Sequence, residues 1–182
     1  MHLKTIYIAR HGQSFGNQTR MIEGQQQGFL TPKGVRQASA LSFWLSQQSP
    51  TLLLMSDLTR AIQTAIPTKM ICASLNTVIT SESLRERHLG HHQGHKKSHQ
   101  QLDNVEPQYK VLQRFSECLE SQIQHHQKSI VFTHSGPIHL FLENLGLENF
   151  KVQNGSLTKL HHTQGQWSIS QPPTLNYHLW PS

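Results

Sequence analysis

A histidine flanked by arginine and glycine, Arg10-His11-Gly12, follows directly on the apolar run Ile6-Tyr7-Ile8-Ala9. A second histidine, His134, follows another apolar run and leads into Ser135-Gly136, and a second arginine, Arg60, comes soon after a third run that ends at Ser56. A histidine in such a place is a metal ligand, a general base or a nucleophile. Two arginines beside it argue against a metal, because added cations repel a divalent ion. They argue for an oxyanion, because the planar guanidinium fork matches phosphate oxygens two at a time. With phosphate there, the neutral His11 imidazole attacks phosphorus in line and forms a phosphohistidine. Arg10, Arg60 and a protonated His134 would stabilise charge on the equatorial oxygens, the main task in phosphoryl transfer. Gly12 is expected to let the backbone turn tightly and approach the ligand.

Each piece alone is a weak signal, so their value depends on the elements that carry them. Short continuous apolar runs at residues 4–9, 51–55 and 129–133 read as buried parallel strands, with a weaker one at 77–80. Between them lie helical periods. One starts at Pro32 with Thr31 as N-cap and puts Val35, Ala38, Leu41 and Leu45 on its inner face. A second starts near Leu58, capped by Asp57, with Ile62, Ile66 and Met70 inward and with Pro67 kinking or shortening it. A third covers roughly 108–125 through Leu112, Phe115, Leu119 and Ile123. A fourth starts near Pro137, carries Ile138, Phe141, Leu142 and Leu145, and ends near Gly146. Residues 156–161 and 166–170 read as a hairpin around Gly165, followed by an irregular Pro172-Pro173 tail. The expected fold class is α/β: a three-layer α/β/α sandwich with a mainly parallel sheet in one domain, residues 1–182. Ligands bind such a sheet beyond the carboxyl ends of its strands, where His11, Arg60 and His134 would meet.

These segments together resemble the histidine phosphatase superfamily, the phosphoglycerate mutase-like group, in its first branch. Arg10-His11-Gly12-Gln13-Ser14 matches the nucleophile motif, and Asn17 falls where the family has a phosphate-contacting Asn. Leu30-Thr31-Pro32-Lys33-Gly34 with Gln37-Ala38 is similar to its LTxxGxxQA helix start. Ser56-Asp57-Leu58-Thr59-Arg60-Ala61-Ile62-Gln63-Thr64-Ala65 matches SDLxRAxQTA, which implies that Arg60 is the second phosphate-binding arginine. Val131-Phe132-Thr133-His134-Ser135-Gly136 resembles the second-histidine motif, and Leu84-Arg85-Glu86 the segment of the proton donor. The resemblance implies a phosphoglycerate mutase-like fold, a metal-independent reaction without cofactor, and Glu86 as the acid. Glu86 has a chemical reason to be there, since an alkoxide departs slowly unless protonated. The role requires a carboxyl that holds its proton, through partial burial or the charge of the nearby phosphate. Two departures stand out. The family often has Asp in a GxxDxPLT loop, whereas this chain has Gly24-Gln25-Gln26-Gln27-Gly28-Phe29-Leu30-Thr31. Ser135 stands where Gly is common, and its hydroxyl is expected to contact phosphate or to pack.

His88, His91, His92, His95 and His99 invite a metal reading through their spacing. No Asp or Glu lies among them, Gly90 and Gly94 disfavour a helix, and the family needs no metal, so none is expected; His88 or His91 would line the pocket mouth instead. The Gln-rich stretch is assigned to a solvated loop. Cys72 and Cys118, far apart and among apolar neighbours, read as buried free thiols.

Sixteen Lys+Arg against ten Asp+Glu give a formal charge of +6, which suits anionic partners. Basic blocks are absent, so nucleic acid is not an expected partner. No leader and no apolar stretch of about 18 residues is apparent, which makes no membrane partner and a cytoplasmic location the expectation. The reading is therefore a phosphatase acting on small-molecule phosphate monoesters, such as sugar phosphates, a phosphoglycerate or α-ribazole phosphate. Its oligomeric state is not legible. Mutase chemistry is the main alternative, but cofactor-dependent mutases of the family carry a large insertion after the Glu segment. Here only about twenty residues separate Glu86 from the helix near Tyr109, leaving a wetter site in which water is the acceptor. Phosphohistidine-protein phosphatases lack an obvious Glu86 equivalent, because a P–N bond needs less acid assistance. A non-catalytic phosphate-binding protein would keep the pocket without turnover.

Overall fold

The structure is a computed structural model that describes residues 3–96 and 103–179. Its centre is a six-stranded sheet ordered β3-β2-β4-β1-β5-β6. These strands are β1 (Lys4–Arg10), β2 (Leu52–Ser56), β3 (Thr77–Ser81), β4 (Lys128–Thr133), β5 (Leu157–Thr163) and β6 (Gln166–Thr174). β1 to β4 run parallel, while β5 is antiparallel to both β1 and β6. The helices are α1 (Phe15–Thr19), α2 (Pro32–Ser46), α3 (Thr59–Ile71), α4 (Gln108–Gln122) and α5 (Ser135–Asn144).

The three layers follow from the alternation of side chains along each strand. Ile6, Ile8, Leu52, Leu54 and Val131 point to one face and pack with Phe115 and Leu119 of α4 and Ile138, Phe141 and Leu142 of α5. Tyr7, Ala9, Leu53, Met55, Ile130 and Phe132 point to the other and pack with Leu41, Trp44 and Leu45 of α2 and Ala65 of α3. Both faces are covered, which is why these strands read as unbroken apolar runs.

Several helical details depart from the sequence reading. In α2, Ala38, Leu41 and Leu45 are buried as expected, but Val35 is exposed. In α3, the inward stripe is Ala61, Thr64, Ala65 and Thr68; Ile62 is half-buried, and Ile66 and Met70 are exposed. The physical reason is close approach of the two helices: Ser42 and Thr68 hydroxyls meet at 2.9 Å, and small residues permit that spacing. Asp57 does not cap α3. Leu58 occupies the N-cap without a side-chain bond, and Asp57 instead takes both Nε and Nη2 of Arg85. Nor does Pro67 interrupt α3, which continues to Ile71 on the support of its packing. Pro172 and Pro173 lie within β6, an edge strand where a missing N–H is tolerated. The short helix α1 was not foreseen. It forms because Ser14 and Asn17 make a reciprocal capping box. Cys72 is buried and Cys118 half-buried, and both are free thiols.

Candidate active site

The parallel register of β1 and β4 pairs Arg10 with Thr133, so the residues that follow, His11 and His134, leave the sheet side by side. The His11 N–H donates to the Thr133 carbonyl at 3.0 Å, and the two imidazole rings stand 5.1 Å apart. β2 is the other neighbour of β4, and its last residue, Ser56, meets His134 Nε2 through its hydroxyl at 2.8 Å. Two histidines 123 positions apart are thus joined by strand pairing alone.

His11 Nδ1 donates to the carbonyl of Gly12 at 2.7 Å, which leaves Nε2 with its lone pair. Arg60, on the first turn of α3, places Nε 3.3 Å from that Nε2. Burial lowers the proton affinity of His11 well below the ordinary histidine range, and the cations Arg60 and Arg10 lower it further. The same causes, burial first and then Arg60, depress His134. Both causes disfavour the protonated form of His134 that the sequence reading invoked. Burial also lowers Arg10 and Arg60, against the opposing charges of Glu86 and Glu23.

Glu86 docks on the N-terminus of α5. Its carboxylate accepts the Gly136 N–H at 3.1 and 3.2 Å and the Arg87 N–H at 2.8 Å. A Cβ on Gly136 would stand 2.2 Å from Glu86 Oε1, so this glycine exists to admit the carboxylate. Glu86 does not pair with Arg85 or with the Arg87 guanidinium: Arg85 binds Asp57 and Glu82. The backbone that carries Glu86 is clamped by Arg114 of α4, which donates to the carbonyls of Ser83, Arg85 and Glu86 and is itself held by Glu106.

Gly12 permits a close backbone approach within the protein itself. Its N–H donates to Thr64 Oγ1 at 3.0 Å, and the space a Cβ would need is taken by the Gly34 carbonyl, at 2.4 Å. Gly12 and Gly34 thus let the exit of β1 lie against the start of α2. Asn17 accepts from the Ser14 N–H and from Asn154 Nδ2, and its own amide donates to Glu23. Ser135, half-buried, borders a cavity of about 680 Å³ together with Arg10, Gly136, Lys33, Lys151 and Asn154. That cavity runs beside the two histidines and not over them. His11 and Arg60, 2% and 1% exposed, lie beneath the Gln-rich loop. Gln26 and Gln27 of this loop are exposed, as its reading as a solvated loop expects, but the loop also has a structural task. Arg60 Nη1 and Nη2 donate to the carbonyls of Gln26 and Gly24 at 2.8 and 2.7 Å, and Gln27 accepts from Thr59.

Sequence reasoning missed four members of this site. Glu23 accepts the Ser14 hydroxyl at 2.6 Å and approaches Arg60 Nε at 3.9 Å, and Gly16 and Gly28 leave the room it fills. Asn154 ties the loop before β5 to the carbonyls of His11 and Gly12. Thr64 and Arg114 act through backbone groups, and no motif rule marks such partners. Of the five clustered histidines, His99 lies outside the described residues. His88 is exposed and accepts the Gly90 N–H on its Nδ1.

A buried imidazole whose Nε2 accepts from Arg60 thus lies on the carboxyl rim of a mainly parallel α/β sandwich, with Arg10 beside it. The chain belongs to the histidine phosphatase superfamily (branch 1), whose family model matches residues 6–172. It is 37% identical over 86 residues to a probable phosphoglycerate mutase, GpmB, of Yersinia pestis (strain Pestoides F), a match covering 47% of this chain and 39% of that protein. The aligned part therefore spans about two-fifths of the curated relative's length. Two solved structures share the fold. Phosphoglycerate mutase from Bacillus anthracis str. Sterne superposes with a TM-score of 0.82 at 20% identity, over 93% of this chain and 92% of that one. Mycobacterial glucosyl-3-phosphoglycerate phosphatase, solved as a complex with VO3, gives 0.79 at 23% identity, over 92% and 98%. Among the described residues, no helix is long and apolar enough to cross a membrane.

Proposed function

We propose that this protein hydrolyses phosphate monoesters of small molecules through a phosphohistidine on His11. The observation that carries the reading is the tautomer lock at His11: Nδ1 is committed to Gly12, so the Nε2 lone pair faces the arginine at 3.3 Å. In the first step Nε2 forms a bond to phosphorus as the P–O bond to the leaving group breaks. Glu86, in its protonated form, delivers a proton to the departing oxygen. In the second step water attacks phosphorus, the N–P bond breaks, Glu86 recovers a proton, and phosphate leaves.

Arg10 and Arg60 stabilise the equatorial oxygens. Arg10 Nε and His134 Nδ1 are buried and have no hydrogen-bond partner within the protein, so both are available to a phosphate oxygen. Neutral His134 acts here as a hydrogen-bond donor. Ser135 borders the cavity beside Arg10, and Asn17 is taken as a further phosphate contact on the family resemblance. The cavity beside Arg10 and Gly136 supplies room for a small alcohol moiety. The partner is thus a small-molecule phosphate ester, with no nucleic acid, membrane, metal or cofactor required by the chemistry. The location that suits such a metabolite is the cytoplasm.

The test is a panel of phosphate esters including p-nitrophenyl phosphate, with and without chelator. Turnover that survives chelation and disappears in His11→Ala supports the reading. An acid-labile phosphate on His11 after an acid quench identifies the intermediate, and label on a serine overturns it. A mutase would move phosphate within phosphoglycerate without releasing it, and a mere binder would leave the whole panel intact.

A further inference from the structure

The histidines after Glu86 carry a chemistry that phosphoryl transfer does not use. The sequence places no carboxylate among them, but the fold does. Gly90–His92 forms a 3-10 turn, which sets the His91 and His92 rings 4.0 Å apart at 35°. Asp103, eleven positions downstream of His92, comes to meet them. Its Oδ1 lies 2.8 Å from His92 Nε2 and 3.7 Å from His91 Nε2. One donor atom from each of the three residues fits within 4.8 Å of the others.

We propose that His91, His92 and Asp103 form a surface binding site for a divalent transition metal of the zinc, cobalt and nickel class. In a tetrahedral site with metal–ligand bonds of about 2.0–2.1 Å, neighbouring donor atoms stand about 3.3 Å apart. The two observed separations bracket that edge, so small side-chain rotations bring all three donors onto one ion. Two imidazoles and one carboxylate suit zinc, cobalt or nickel, whereas magnesium and calcium demand a shell of oxygens. His91 and Asp103 are exposed, which gives an ion an entry path and leaves its fourth position to water or to a second ligand.

The frame that holds these donors is built by backbone contacts and does not depend on an ion. The Glu106 N–H donates to the His88 carbonyl at 2.9 Å, and the Glu106 carboxylate accepts the His88 N–H at 2.9 Å. Gly90 adopts φ +54°, and a Cβ there would stand 2.6 Å from the Asn104 carbonyl. The segment before His91 is therefore pressed against the segment that carries Asp103. On the far side of the turn, Gln93 accepts the Gln25 N–H at 2.8 Å, which links the turn to the loop over Arg60. The ligands themselves make no contact with His11, Glu86 or either arginine of the reaction, so this site stands or falls apart from the phosphatase reading.

The experiment is a titration of tag-free, chelator-treated protein with Zn²⁺ by calorimetry and with Co²⁺ by visible absorption. Wild type is expected to bind one equivalent in the micromolar range, with the intense ligand-field bands of low-coordinate cobalt. His92→Ala and Asp103→Ala should each weaken binding at least tenfold while keeping the wild-type melting temperature without metal. The double variant His125→Ala/His126→Ala, at a distant histidine pair, should bind like wild type. Gly90→Ala, which removes no donor atom, should weaken binding by disturbing the frame. Absence of stoichiometric binding overturns the proposal. So does wild-type affinity in His92→Ala and Asp103→Ala, or a loss confined to the His125/His126 variant.

Discussion

The Glu23 carboxylate stands 3.9 Å from Arg60 Nε, inside the group of side chains assigned to phosphate. It accepts from the Ser14 hydroxyl and from the Asn17 amide, and it is only 12% exposed. A phosphate entering this site meets a negative charge that already engages two of its donors. Like charges in a partly buried site repel with little screening. Glu23→Gln keeps the shape and removes the charge, so it should tighten inhibition by inorganic phosphate and by vanadate by about tenfold, equivalent to ~1.4 kcal/mol. Inhibition constants measured on both proteins check this. Weaker inhibition in the variant would mean that Glu23 helps to organise the anion site.

Glu86→Gln should cost far more with an alkyl phosphate than with p-nitrophenyl phosphate, whose leaving group departs without a proton. The structure adds a variant that leaves Glu86 in place. Gly136→Ala sets a methyl carbon 2.2 Å from Oε1 and removes the carboxylate from its seat on α5. It should show the same leaving-group dependence. Equal losses on both esters would take Glu86 out of the acid role.

Arg114→Ala should weaken catalysis through the same acid. Arg114 holds the carbonyls of Ser83, Arg85 and Glu86, and its loss leaves Glu106 without its ion partner. We expect a destabilisation of about 3 kcal/mol in urea titrations. The rate on poor leaving groups should fall more than the rate on p-nitrophenyl phosphate, with partial recovery in Arg114→Lys. A purely structural role would reduce both rates together.

The pH dependence of stability follows from the two buried histidines. Their folded-state pKa values lie well below the ordinary one, so below about pH 6.5 the unfolded chain binds protons that the folded chain refuses. Stability therefore rises with pH up to that point and declines as the pH falls through it. Each histidine adds a slope of up to about 1.4 kcal/mol per pH unit. Denaturant titrations between pH 7 and pH 5 should give a shallower slope for His134→Gln than for wild type. An unchanged slope would show that His134 accepts a proton in the folded state.

What the sequence by itself determined was the periodic part of the molecule and the residues marked by type. Apolar runs named β1, β2 and β4 because both faces of those strands are buried, whereas the edge strand β3 is half-exposed and gave a weaker run; Thr31-Pro32 named the start of α2 through capping chemistry. Arg10, His11, Arg60 and His134 stood out because charged and imidazole groups at or just beyond strand ends have few structural uses, whereas Glu86 was picked out through the family resemblance. Tertiary structure alone decided the partners. His11 and His134 meet because β1 and β4 pair in register, a long-range choice that no local pattern encodes. The inner face of α3 was misread because close helix packing favours Ala and Thr over the larger Ile and Met. Glu23, Asn154, Arg114 and Asp103 carry no local signal; each acquires its role only when the chain brings a distant backbone or side chain within hydrogen-bond reach. The push on His134 toward its neutral form was likewise beyond the sequence, since it comes from burial and two nearby arginines rather than from residue type.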